Sequence, residues 1–375
     1  MKIAVLGTRG IPDIMGGIET HCQELYPRLV DRGVDVTIFG RKGYTKKDVP
    51  YEYRGVKVVP VASPHMAGLE AFVHTFRCIW NVWRLKPDIV HLHAIGPAFA
   101  APLFRMLGFK VVYTHHGQDY NRAKWGVFAK NVLRLSERVG TRFSNKVIVI
   151  SKYLENWLQT KYGCHKTVFI RNGVNIPERL EDSVSKKWLE KHGLYGKKYI
   201  FALGRFVEEK GFHDLIEAYK KAGFDGMPLV IAGKADQESS YSRKLYKMAG
   251  DAGVVLPGYI YGEELQALFE NAALFVIPSY HEGLPIVLLE ALSYNCNVVA
   301  SDIPANTEVP LPEECFFKMS DVDELAKKMK GFLDAPKQRN YSSILNELYN
   351  WNKIAEQVDN LYKSLMKGKN ENTFN

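Results

Sequence analysis

The chain has 375 residues, 46% of them hydrophobic and 24% charged, enough to build two packed domains more comfortably than one. Its five cysteines are odd in number, widely spread and never in a CxxC pair, which argues against a disulfide framework or a cysteine zinc site and for a reduced, cytosolic protein. The net charge of +9 implies anionic partners; the opening MKIAVLG is too short for a signal peptide, and the longest apolar run, 94–109, is broken by Pro97, Pro102 and Arg105, so no membrane span is expected.

Short β-like runs alternate with helix-length segments from the start. KIAVLG is followed by a helix over 18–31, then VDVTIF, VKVVPV, a helix over 65–86, DIVHLH, KVVYTH, a basic helix within 121–146, and KVIVIS. Such alternation predicts a parallel sheet with crossover helices. RNGVNIPERL, 171–180, interrupts it with Gly173 and Pro177, and a second series follows: YIFALG, PLVIAG, GVVLPG, ALFVIPS and NVVAS. The reading is an α/β protein of two Rossmann-like domains, 1–172 and 173–350, facing a central cleft between their carboxyl-end loops. WNKIAEQVDNLYKSLMK, 351–367, has the spacing of a closing amphipathic helix.

The positive charge is concentrated. Between residues 121 and 146 seven cations, Arg122 and Lys124 among them, face Glu137 alone, and 65–86 mixes Phe72, Phe76, Trp80 and Trp83 with Arg77, Arg84 and Lys86. These segments fit the surface of an anionic bilayer, or equally two ordinary helices that bury one face and solvate the other.

Four loops follow strands and carry candidate chemistry. In GTRGIPDIMGGIETH, Gly16 and Gly17 precede a helix whose free N–H groups suit a phosphate. The spacing is not GxGxxG and the second strand ends TIFGR without an acid for a ribose, which demotes a dinucleotide dehydrogenase; Arg41 leaves only an NADP 2′-phosphate reading. In FALGRFVEEKGF, Gly204 and Arg205 precede Lys210 by a few residues, two cations matched to a diphosphate. VVYTHHGQDY ends a strand in His115 and His116, either a sugar-facing histidine or a core one held by backbone. In HEGLPIVLLEAL, Pro285 starts a helix and puts Glu282 in the loop before it and Glu290 on its second turn. The DxD at Asp321 and Asp323 reads as a helix cap, and no metal site is expected.

Together these features resemble the retaining glycosyltransferases of the GT-B fold, family-4 type. The opening MKIAVLGTRGIPDIMGGIETH is similar to a subset from bacterial polysaccharide assembly that includes rhamnosyltransferases. The resemblance implies that Arg205 and Lys210 hold the donor diphosphate, that Glu290 bonds the nucleoside ribose and Glu282 the donor sugar, and that backbone N–H groups around Gly283 and Leu284 support the phosphate. It places His116 beside the sugar and acceptor, and Gly16 and Gly17 over the phosphates. It also implies that the last helix packs back on the first domain. His115 beside His116 leaves the identity of the functional histidine open.

The implied activity is transfer of a hexosyl unit from a nucleotide-diphosphate sugar to a glycan or lipid-linked acceptor, without cofactor or metal. It would act in the cytoplasm at the inner membrane face, with no nucleic-acid partner. A nucleotide-sugar epimerase or hydrolase, or a non-catalytic nucleotide-sugar binder, are the competing readings.

Overall fold

The computed structural model describes residues 1–63, 70–121, 125–224, 226–235, 238–283, 285–337 and 339–367. The chain divides into two compact units, Met1–Gly173 together with Tyr349–Asn375, and Val174–Leu348.

The first unit is built on eight strands: β1 (Lys2–Leu6), β2 (Asp35–Arg41), β3 (Tyr51–Tyr53), β4 (Val56–Val61), β5 (Ile89–His93), β6 (Lys110–His115), β7 (Lys146–Val149) and β8 (Thr167–Phe169). They lie in the order β3-β4-β2-β1-β5-β6-β7-β8, parallel except for the β3–β4 hairpin. Neither β3 nor β8 is evident from the sequence pattern, because three residues are too few to show a period. Alternation along each strand sends side chains to two helical layers. Ile3, Val5, Ile38, Ile89 and Val112 pack under the helices Gly17–Val30 and Trp351–Lys367, while Ala4, Leu6, Val90, Leu92 and Val111 pack under Glu70–Leu85 and the turns around Ala100–Phe104. The sheet is covered on both sides, so its strands read as nearly continuous apolar runs.

The closing helix Trp351–Lys367 belongs to this unit. Trp351, Ile354, Ala355, Val358, Leu361 and Tyr362 form its buried stripe at helical spacing. Of the helix expected over 65–86, residues 70–85 are helical and 65–69 lie outside the described residues.

The second unit has five parallel strands, β9 (Ile200–Leu203), β10 (Leu229–Ala232), β11 (Leu274–Ile277), β12 (Val298–Ser301) and β13 (Phe316–Phe317), in the order β10-β9-β11-β12-β13. The strand expected at GVVLPG is reduced to a single bridge between Val230 and Val255. Gly253, at φ +65°, ends the preceding turn and Pro257 has no N–H to donate, which leaves room for one ladder step. At the DxD, the Asp321 side chain accepts from the Glu324 N–H and caps the helix Val322–Asp334.

Candidate active site

In the second unit, chemistry gathers at the carboxyl edge of the sheet, where parallel α/β sheets bind ligands. β9 and β11 are neighbours, so the loops that follow them meet there. Lys210 ends a short 3₁₀ turn, Glu208–Lys210, and its Nζ lies 2.5 Å from Glu282 Oε1 in the loop after β11. Ser279 Oγ donates to the same carboxylate oxygen at 2.8 Å, and the Tyr280 N–H donates to Glu209 O. Gly211 permits this approach: at φ +64° a Cβ there would stand 2.2 Å from Pro278 O. The loop after β11 is pinned in turn from β12, where Ser301 Oγ donates to Ser279 O at 2.5 Å and Asn306 Nδ2 donates to Ser301 O.

The Glu282 side chain is 13% exposed. Burial alone would raise its pKa, but the charge and hydrogen bond of Lys210 and the hydroxyl of Ser279 outweigh it, and the carboxyl sits below its usual range. Glu282 is therefore ionised at neutral pH, and it holds the Lys210 ammonium at the sheet edge.

Arg205 shares the loop of Lys210 and is half-buried, and Gly204 before it donates its N–H to Ala232 O. The helix carrying Glu290 is Ile286–Ser293 with Pro285 as its N-cap, so Glu282 and Gly283 precede it and Glu290 stands on its second turn, near the half-buried Tyr294. Leu284 lies outside the described residues. The structure thus brings Lys210, Glu282 and Ser279 into contact; Ser279 was not anticipated, although a hydroxyl three residues ahead of an acid at a strand end is a readable signal.

In the first unit the two adjacent histidines separate onto opposite faces, as neighbours along a strand must. His115 is fully buried; its Nδ1 accepts from the Gly117 N–H at 3.2 Å and its Nε2 donates to Glu137 Oε1 at 2.8 Å. Tyr120 and Tyr162 hydroxyls donate to the same carboxylate. Burial would raise the Glu137 pKa, but these hydrogen bonds and the Lys161 charge bring it below the usual value. Glu137, the lone acid of the basic segment, is a core anchor for His115.

His116, partly exposed, joins a histidine cluster on the other face. Its Nε2 lies 2.8 Å from His93 Nδ1, and His93 Nε2 lies 2.5 Å from the Tyr26 hydroxyl. Tyr26 and Tyr362 both reach His91 Nδ1, and His91 Nε2 meets Thr114 Oγ1 at 2.6 Å. His21 stands edge-on to His116, its Nδ1 bonded to Asn172 Oδ1 at 2.8 Å. The signals were present in the sequence: HLH places His91 and His93 on the face of Ile89, but nothing in it said that this face meets Tyr26 and Tyr362. His21, His93 and His116 are the one group among the described residues that could hold a metal ion, with ligand nitrogens within 4.8 Å of one another.

Burial keeps these imidazoles neutral, lowering the pKa of His21 to about 4 and of His91 to about 3, and of His93 and His116 well below the ordinary value. The unfolded chain therefore binds more protons as pH falls below about 6.5, and stability is full above that pH and is lost towards pH 4, by up to about 1.4 kcal/mol per unit for each histidine. The melting temperature should fall steadily between pH 7 and pH 5, with a shallower fall in His91→Gln; equal slopes in both proteins would refute this origin.

Gly16, at φ 148°, precedes the helix Gly17–Val30. The Glu19 carboxylate folds back beside Gly16 and accepts from the Arg9 N–H at 2.9 Å, a contact the sequence reading did not foresee.

Comparison with known proteins follows the same division. Residues 15–178 match the family described as Glycosyltransferase Family 4, and residues 184–344 match Glycosyl transferases group 1. The uncharacterized glycosyltransferase MJ1607 of Methanocaldococcus jannaschii is 28% identical, over 98% of this chain and 99% of its own length. The putative teichuronic acid biosynthesis glycosyltransferase TuaC of Bacillus subtilis is 27% identical over 76% of each chain. Among solved structures, a sucrose-phosphate synthase from Thermosynechococcus elongatus superposes with a TM-score of 0.86 at 21% identity, over 98% of this chain and 99% of that one. With one family module on each α/β unit, the chain is a glycosyltransferase of the GT-B fold, of the group 1 and family 4 type.

Proposed function

We propose that this glycosyltransferase moves a hexosyl unit from a nucleotide-diphosphate sugar to a hydroxyl of a glycan or lipid-linked saccharide with retention of anomeric configuration. The observation that carries the reading is the Lys210–Glu282–Ser279 cluster at the carboxyl edge of β9 and β11, with Arg205 on the same loop. As the bond from the anomeric carbon to the phosphate oxygen breaks, negative charge grows on the diphosphate. Arg205, Lys210 and the N–H groups of Gly283, Leu284 and the following helix start stabilise it. The acceptor hydroxyl bonds to the anomeric carbon on the face the phosphate leaves, and its proton passes to the phosphate oxygen.

In this reading Glu290 binds the ribose, Glu282 orients Lys210 and meets sugar hydroxyls, Gly204 belongs to the diphosphate loop of the second unit, and the N–H groups at Gly16 and Gly17 in the first unit suit a phosphate. His116, neutral and partly exposed, bonds the sugar or the acceptor. These cations supply the charge stabilisation, so no metal is required. The teichuronic acid relative supports a place in cell-surface polysaccharide synthesis, and the compartment this reading assigns is the cytoplasmic face of the membrane.

Nucleotide sugars offered with saccharide acceptors, and followed by NMR in the presence of a chelator, test the reading. Acceptor-dependent product with the donor's anomeric configuration is expected. An inverted product, or turnover abolished by the chelator and restored by metal, would overturn the corresponding part of it.

A further inference from the structure

No helix among the described residues is long and apolar enough to cross a membrane. Yet the first unit exposes apolar side chains on one layer. Of the seventeen exposed large hydrophobic residues among those described, ten lie between Phe76 and Phe143, in the helices that cover the face of the sheet opposite the histidine cluster.

On Glu70–Leu85, Phe76, Trp80 and Trp83 are exposed, the two indoles stacked with centroids 5.0 Å apart and the Arg84 guanidinium over Trp80. Phe76, Ile79, Trp80 and Trp83 line an open groove of about 480 Å³ together with Leu107, so the end of the helix Ala101–Met106 continues the same patch. Met106 there is 82% exposed. Helix Val127–Phe143, which packs against Ala101–Met106, adds Phe128, also 82% exposed, and Leu135. A contiguous exposed apolar surface of this kind marks a docking site.

Charge selects the occupant. The described residues from 70 to 143 expose Arg77, Arg84, Lys86 and Arg105, with Arg134, Arg138 and Arg142 on the third helix, and expose no Asp or Glu. Indoles and aliphatic tips set among unopposed cations match the interface of an anionic lipid bilayer, where tryptophan sits at headgroup depth and cations meet lipid phosphates. We propose that this helical layer seats the first unit on anionic membrane, with Trp80, Trp83, Met106 and Leu107 inserted. The inference rests on the membrane-face reading of the preceding subsection and names the surface that serves it. Because the layer and His116 lie on opposite faces of one sheet, docking leaves the histidine side uncovered.

The full chain should co-sediment with phosphatidylcholine vesicles containing one part in four phosphatidylglycerol, and less with pure phosphatidylcholine or at high salt. Trp80→Glu/Trp83→Glu should weaken partitioning tenfold or more, and Arg77→Gln/Arg84→Gln should weaken it about fivefold per cation and flatten the salt dependence. Turnover of a water-soluble acceptor should be unchanged in both variants, which separates docking from transfer. Vesicle binding equal to wild type in the tryptophan variant would overturn the proposal. So would absence of the wild type from the pellet, or a wild-type dimer that the tryptophan variant disperses, since a second copy would then be the occupant.

Discussion

His115→Ala should destabilise the first unit by about 3–5 kcal/mol, whereas His116→Gln should leave stability within about 1 kcal/mol of wild type and lower turnover tenfold or more. The two residues are adjacent, so the contrast comes only from what each ring meets. Removing His115 strips the fully buried Glu137 carboxylate of its Nε2–H donor at 2.8 Å and leaves it to two tyrosine hydroxyls. An ion left short of partners in the interior is among the larger single-residue losses. His116 instead has a partly exposed ring, and glutamine keeps a hydrogen-bonding end for His93. Denaturant midpoints beside steady-state transfer rates decide it: a stable but inactive His115→Ala would exchange the two assignments.

Lys210→Met should lose turnover tenfold or more and about 1–3 kcal/mol of stability at neutral pH. The stability loss is smaller than for a fully buried pair because both side chains keep some exposure. Without the ammonium, desolvation of Glu282 is no longer outweighed and its pKa rises. The sign with pH follows: in the wild type the lowered Glu282 pKa contributes stability above the unfolded value of about 4.3, lost as pH falls through the folded one. Adding Glu282→Gln to Lys210→Met should restore much of the stability, since neither charge is then left alone, and none of the activity. Recovery of turnover in the double variant would show that Lys210 serves the fold and not the diphosphate.

The α/β character and most strands were legible because parallel strands covered on both faces are apolar runs, and GRFVEEKG and HEGLPIVLLE sit at strand ends where their spacing can be read. The break at Pro285 already separated Glu282 from Glu290. Strands too short for a period, such as β3, β8 and β13, were not legible, and GVVLPG was over-read because an apolar run does not say how many ladder partners it will find. The histidines were visible one at a time, but their joining was not.

Local pattern therefore determined which elements form, where the loops fall, and that cations and acids line the carboxyl edge of the second sheet. Tertiary structure decided which groups share a charge. Lys210 meets Glu282, 72 residues further along the chain, because β9 and β11 are neighbours. The neutral chain from Thr114 through His91 and His93 to His116 forms because the helices Gly17–Val30 and Trp351–Lys367 bring Tyr26 and Tyr362 onto one face of β5. Periodicity in a sequence fixes the direction of a side chain from its own backbone, whereas hydrogen bonds and desolvation depend on what distant segments place opposite it.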